Sequence, residues 1–181
     1  MKKRGPLPEP RSGGALRQNP MHHRVFDGYH PSLTGGYSAL ILTRERKMKD
    51  EELKKTLCDG KTVAVVGISP KADRPSHRVA SYLKSKGYRV IPVRPDEQEV
   101  LGEKVYHNLM EIPKEIQVDV VDIFRRPEDV PPIVEEAIQR GAKVIWMQEG
   151  VIHEEAAAKA EKAGLKVVMD RCMKKEHQRL L

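Results

Sequence analysis

Short, continuous runs of β-branched and aliphatic residues recur along the chain from residue 62 onward. They fall at 62–67 (Thr-Val-Ala-Val-Val-Gly), 88–93, 118–124, 143–147 and 165–169. An apolar run without alternation is the pattern of a strand covered on both faces, as in a parallel sheet. Between the runs the apolar residues change to helical spacing. Val79, Tyr82 and Leu83 mark one helix face, and Ile133, Val134, Ala137 and Ile138 mark a second. Ala156, Ala157, Ala160 and Ala163 mark a third. One phrase repeats at each passage from helix to strand: Gly87-Tyr88-Arg89-Val90, Gly141-Ala142-Lys143-Val144 and Gly164-Leu165-Lys166-Val167, with a variant at Gly60-Lys61-Thr62-Val63. Each reads as a glycine ending a helix in the left-handed conformation, then a basic residue at the sheet edge, then a buried strand.

Strands alternating with helices predict an α/β fold. The expected form is a Rossmann-like, doubly wound parallel sheet of about five strands with helices on both faces. A further short edge strand is expected near Val100 to Val105. Residues 1–47 break this texture, with five prolines, six glycines and no sustained periodicity. That segment reads as a disordered basic leader, or as sequence preceding a natural start at Met48. In the second case Asp50 would cap a short helix running through Cys58. The folded domain is expected over 48–181.

Charge sharpens this division. Of the net charge of +7, residues 1–47 carry +6, from nine Lys/Arg against three acids. The basic balance therefore says little about the folded part. The three aromatics of that segment, Phe26, Tyr29 and Tyr37, do not alternate with those charges in the manner of a nucleic-acid surface. No stretch approaches the roughly 18 apolar residues that span a bilayer, and no secretory signal is evident. The expected setting is the cytoplasm, where Cys58 and Cys172 would be reduced thiols.

In a doubly wound sheet, ligands sit at the carboxyl ends of the strands, so the loops to read are 67–76, 93–97, 124–127 and 147–153. The first is Gly67-Ile68-Ser69-Pro70-Lys71-Ala72-Asp73-Arg74-Pro75-Ser76. It leads from a strand into a helix N-terminus, where free N–H groups and the helix dipole favour a phosphate. It lacks the further glycines of G-x-G-x-x-G and the Gly-Lys-Ser/Thr of a Walker loop. Ser69 and Ser76 offer hydroxyls, and Lys71 and Arg74 offer charge; the simpler reading is a polar turn with Ser76 as helix cap. The second loop carries Arg94-Pro95 where NAD enzymes place an acid on the ribose hydroxyls. A guanidinium there suits a phosphorylated ribose, as in NADP or coenzyme A. The third loop holds Phe124, able to cover a base or to cap the core, and Arg125. The fourth holds Gln148 and Gly150.

Taken in order, strand-Gly-x-Ser, Gly-Tyr-x-Val-x-Pro-Val, Phe-Arg-Arg-Pro, Gly-Ala-Lys-x-x-Trp-x-Gln and Asp-Arg-Cys resemble a known set. They are similar to the small stand-alone CoA-binding proteins related to the nucleotide-binding domain of the succinyl-CoA synthetase α subunit. The resemblance runs from about Lys61 to about His177. It implies coenzyme A as the ligand, lying across the strand ends. Gly67, Ile68 and Ser69 would contact the phosphates, with Arg74 and Ser76 nearby. Arg94, Pro95, Phe124 and Arg125 would border the nucleotide, and Gln148 and Gly150 would flank the pantetheine arm. Two positions depart from the family pattern: Arg94 and His153 stand where asparagine is usual.

No catalytic constellation emerges from spacing. His77 reads as a solvent-facing residue of the phosphate helix and His153 as a helix-start residue. Cys172 could form a mixed disulfide with the coenzyme thiol, or could be an ordinary buried cysteine. The leading expectation is a protein that binds coenzyme A or an acyl-CoA without chemistry of its own. The alternatives are an NADP-dependent oxidoreductase and a CoA-binding subunit of a multi-component acyl-CoA ligase.

Overall fold

The computed structural model describes residues 48–181. The expectations for residues 1–47 lie outside the described residues. Five parallel strands form one sheet in the order β2-β1-β5-β6-β7. They are β1 (Thr62–Val66), β2 (Arg89–Val93), β5 (Val120–Ile123), β6 (Val144–Met147) and β7 (Lys166–Val168). The helices are α1 (Asp50–Asp59), α2 (Pro75–Ser85), α3 (Val130–Arg140), α4 (Glu154–Lys162) and α5 (Met173–Leu180). No helix among the described residues is long and apolar enough to cross a membrane.

The continuous apolar runs are explained by burial on both sides. Val63, Val65, Val120, Val144 and Trp146 pack on one face with Leu53 and Leu57 of α1, Val79 and Leu83 of α2, and Met173 of α5. Ala64, Val66, Val121, Ile123, Ile145 and Met147 pack on the other with Val134 of α3 and Ala156, Ala157 and Ala160 of α4. Ala163, expected on that face, is the exposed C-cap of α4.

The direction in which successive strands are added reverses between β1 and β5, which lie side by side and parallel with Val65 beside Asp122. This is the switch point, where a crevice opens at the carboxyl ends. The main chain closes tightly there: Phe124 N–H donates to the Val66 carbonyl at 2.8 Å and Gly67 N–H to the Val93 carbonyl at 2.9 Å.

Local structure departs from expectation in four places. The edge strand near 100–105 is instead a separate antiparallel ribbon of β3 (Glu99–Val100) and β4 (Glu103–Lys104). Its turn places both Leu101 and Gly102 at positive φ, the backbone of a tight hairpin. Lys49, not Asp50, is the N-cap of α1; Asp50 begins the helix and pairs with both terminal nitrogens of Arg179 at 2.6 and 2.7 Å. Ser76 is not a cap either, because Pro75 already occupies the first helical position and Arg74 precedes it. Finally, Gly60 does not share the left-handed φ of Gly87, Gly141 and Gly164. It is there for space: a Cβ would lie 2.7 Å from Val120 Cγ2 and 3.0 Å from the Thr56 carbonyl.

Candidate functional site

Gly67 ends β1 at φ +86°, in the left-handed region. A Cβ on it would meet both the Phe124 carbonyl and Arg125 Cδ at 2.7 Å. The loops after β1 and β5 are thus pressed together, and only a glycine allows it. Two hollows open on either side of this junction. Gly67 and Arg94 line both.

The hollow on the α2 side, about 470 Å³, is lined by Gly67, Ser69, Lys71, Arg74, Pro75, Ser76, Arg94 and Phe124. Ser76 sits in the first turn of α2 with its Oγ accepting the Ser69 N–H at 3.0 Å, while Ser69 Oγ accepts the Lys71 N–H at 3.2 Å. Both hydroxyl hydrogens are left free to point at a ligand. Helices α1 and α4 carry their own acids in the first turn, but α2 carries none. Its first turn therefore supplies no acid of its own to offset the N-terminal partial charge. No carboxylate among the described residues pairs with Lys71, Arg74 or Arg94. Arg94 is half-buried, donates from Nη1 to the Ile68 carbonyl at 3.1 Å and has a buried Nε with no acceptor. This hollow presents hydrogen-bond donors and positive charge to a polyanion.

The hollow on the α3 side, about 240 Å³, has a different character. Val66, Val93, Pro95, Pro132 and Ile133 supply apolar wall, and His107, Asn108, Arg125, Asp129 and Glu136 supply polar groups. Here the charges are engaged. Arg125 Nε lies 3.4 Å from Asp129, and Glu136 accepts the Leu109 N–H at 3.0 Å. A flat apolar group with a polar edge fits these walls.

The structure brings most of the expected residues together and separates three. Gly67, Ser69, Arg74, Ser76, Arg94 and Phe124 meet in the first hollow, and Pro95 and Arg125 join Gly67 and Arg94 in the second. The Ile68 side chain is buried in the core, so that residue offers only main chain. Gln148 is 4 % exposed and lines neither hollow; its Nε2 donates to Asp122 Oδ1 at 2.7 Å. Gly150, at φ +82°, donates its N–H to Asp170 Oδ1 at 2.8 Å. Phe124 lies half-buried at the end of β5, against the core and against the first hollow.

His153 is the cap of α4, its Nδ1 accepting the Ala156 N–H at 3.2 Å. Trp146 is packing, with Nε1 donating to the Arg171 carbonyl at 2.7 Å. Cys172 is a half-buried free thiol at the start of α5, and Cys58 is an exposed one. No cluster of three or more metal-ligating side chains occurs among the described residues.

Sequence reasoning missed His107 and Asn108. They arrive through a single bridge between Val93 and Tyr106, which no periodicity announces. It also missed Asp122, whose signal was visible: an acid inside an otherwise apolar buried strand. Asp122 is wholly buried, and burial pushes its carboxyl up to about 7, opposed by the Gln148 hydrogen bond.

A larger hollow, about 800 Å³, runs along the β7 edge beside Met48, Asp50, Val168, Arg171, Glu176 and Arg179. Its charges pair among themselves, Arg179 with Asp50 and Glu176 at 2.6 and 2.7 Å. It lacks the excess of one sign found at the strand ends.

Comparison with known proteins bears on the fold and the family. The model of the CoA binding domain matches residues 61–178. The uncharacterized protein YneT of Bacillus subtilis is 41% identical over 126 residues, covering 70% of this chain and 92% of YneT. The solved structure of a hypothetical protein from Pyrococcus horikoshii has a TM-score of 0.72 at 43% identity, covering 75% of this chain and 94% of that one. An ADP-forming acetate–CoA ligase of Archaeoglobus fulgidus is 28% identical over 127 residues, and the match spans only 19% of the ligase. With the doubly wound sheet, the cationic crevice at its switch point and a family model matched across the whole of that sheet, this chain belongs to the CoA-binding domain family, whose domain is related to that of succinyl-CoA synthetase.

Proposed function

We propose that this protein binds coenzyme A or an acyl-CoA across the carboxyl ends of its strands and carries out no chemistry of its own. The observation that carries this reading is the pair of unlike hollows meeting at Gly67 and Arg94. A coenzyme with a diphosphate, a nucleoside and a third phosphate needs all of these surfaces at once. The diphosphate takes the α2-side hollow, with the Ser69 and Ser76 hydroxyls, Lys71, Arg74 and the free N–H groups of α2. The base takes the apolar walls of Pro95, Pro132 and Ile133, beside Arg125. Arg94, standing between the two, takes the phosphomonoester of the ribose through its guanidinium. The pantetheine arm leaves past Phe124 toward Gln148 and Gly150.

Calorimetric titration with coenzyme A and with dephospho-coenzyme A tests this assignment. Arg94→Ala should weaken coenzyme A by about tenfold or more, the scale of a charged hydrogen bond, and leave the dephospho form nearly unchanged. Equal weakening of both would remove Arg94 from the ribose phosphate. NADP is the competing ligand, favoured by the cation at the end of β2 and opposed by the single glycine of the first loop. A ligand raises the unfolding midpoint according to its concentration over its affinity. Coenzyme A should raise it and NADP should not.

The likeness to part of an acetate–CoA ligase supports a second reading, a CoA-binding subunit serving a partner ligase. Recovery of a stoichiometric ligase component with the natively expressed protein would favour it.

A further inference from the structure

Asp119 and Asp122 lie three residues apart in the segment that forms β5, yet their oxygens fare differently. Asp119 Oδ2 accepts the Lys61 and Thr62 N–H groups at 3.1 and 3.0 Å, and Oδ1 accepts Lys143 Nζ at 2.7 Å. Asp122 is 0 % exposed; its Oδ1 accepts Gln148 Nε2, but its Oδ2 has no hydrogen-bond partner. A buried oxygen without a partner is costly and calls for an explanation. The register neighbours of Asp122 are Val65 and Trp146, which offer Oδ2 no donor. The bond from Gln148 accounts for Oδ1 and leaves Oδ2 without a role in the packing.

Position supplies the explanation. Side chains two apart on a strand share a face, and their Cα atoms are separated by about 7 Å. Phe124, two residues beyond Asp122, lines the α2-side hollow. Gln148 follows Met147, the register partner of Ile123, so it stands beside Phe124 one strand over. Neither Gln148 nor Asp122 lines the hollow itself; an arm leaving it over Phe124 would meet Gln148 next, and its end would have to pass beside that side chain to reach the Asp122 carboxyl buried beneath.

We propose that Asp122 and Gln148 form the floor of a subsite for the sulfur end of the ligand, in which the Asp122 carboxylate accepts the hydrogen of a free thiol. This rests on the coenzyme A reading and deepens it. The site then recognises the free coenzyme in preference to forms that lack that hydrogen. The recognition depends on pH, because burial places the Asp122 carboxyl near 7. The side chains that α1, α2 and α5 bury on this face are Leu53, Thr56, Leu57, Ser76, Val79, Ala80, Leu83, Met173 and His177. Of these only His177 titrates near neutrality, and it is engaged with the Tyr82 hydroxyl at 2.9 Å. Neither it nor half-buried Arg171 and Cys172 figures among the influences on Asp122, which are burial and Gln148.

The test is calorimetric titration of the full chain with coenzyme A and with desulfo-coenzyme A, which carries hydrogen in place of the thiol. At pH 8 the wild type should prefer coenzyme A by about three- to tenfold, the range of one hydrogen bond. At pH 6, with the carboxyl protonated, the preference should shrink below about twofold. Asp122→Asn keeps the shape and can still accept from Gln148, but it turns an amide toward the sulfur. It should abolish the preference at both pH values. Desulfo-coenzyme A makes no contact with the carboxylate, so its unchanged affinity certifies that the variant is folded. Equal wild-type affinity for the two ligands at pH 8, or a preference that survives Asp122→Asn, would overturn the subsite alone. Failure of the wild type to bind either ligand would defeat the coenzyme A reading and this subsite with it.

Discussion

The two ends of the central sheet handle charge in opposite ways. At the amino end, Asp119 fastens the entry of β1 and the start of β6: two main-chain N–H groups and Lys143 fill its oxygens. At the carboxyl end, Lys71, Arg74 and Arg94 face a hollow without a carboxylate partner, and the carboxyl of Asp122 is buried with one oxygen open. Satisfied polar groups hold a fold in one arrangement, whereas unsatisfied ones subtract from its stability. The difference teaches where this sheet is built for itself and where it is built for something else.

The sharpest way to break the contrast is to remove the buried carboxyl. Asp122 titrates at 3.8 in its ordinary state and at about 7 in the fold. Below about pH 4 both folded and unfolded chains hold the proton, and no stability is lost. Between about pH 4 and 7 the unfolded chain ionises while the folded chain does not, so stability falls as pH rises and then levels off. The full loss is on the order of 4 kcal/mol. Asp122→Asn should therefore gain on the wild type across that window, measured by urea unfolding at successive pH values. A constant difference from pH 4 to 8 would refute the assignment.

Next in size is Gly67→Ala, which forces a methyl group against the Phe124 carbonyl at a positive φ. It should cost about 3 kcal/mol in unfolding free energy, and it should remove coenzyme A binding because the switch-point loops must part. Asp119→Ala touches only the amino end. It strands the Thr62 N–H, whereas the Lys61 N–H keeps the Asp59 carbonyl at 3.1 Å; it should cost about 1–2 kcal/mol while leaving the affinity for coenzyme A as it was. A change in that affinity would show that the two ends are not independent. The smallest effect is at Lys71, an exposed residue. Lys71→Ala should leave stability alone and weaken coenzyme A about threefold at low salt, a difference that vanishes at high salt.

Much of the architecture was legible because burial on both faces writes an unmistakable apolar run. The strands at 62, 89, 120, 144 and 166 were anticipated to within two residues for that reason. The first-loop residues Ser69, Arg74 and Ser76 were legible because strand, turn and helix follow directly in sequence. Distant contacts left no such mark. The β3–β4 ribbon is two residues long on each side, below the length at which a period can be read. Gly60 looked like the other helix-ending glycines, and only the approach of Val120 across the fold distinguishes it. Gln148 was assigned to the ligand through the family resemblance; its bond to Asp122 joins neighbouring strands across 26 residues of sequence.

The bridge at Tyr106 has a consequence for how such a site can change. Tyr106 accepts the Arg94 N–H at 2.8 Å and donates its own to the Pro92 carbonyl at 3.0 Å, clamping the main chain on both sides of Val93. With its backbone held from outside the crevice, position 94 can exchange one side chain for another and keep its main-chain course, at the cost of the bond to the Ile68 carbonyl. On the coenzyme A reading it would act as a dial, at which descendants of one scaffold could retune which phosphorylated carrier they retain.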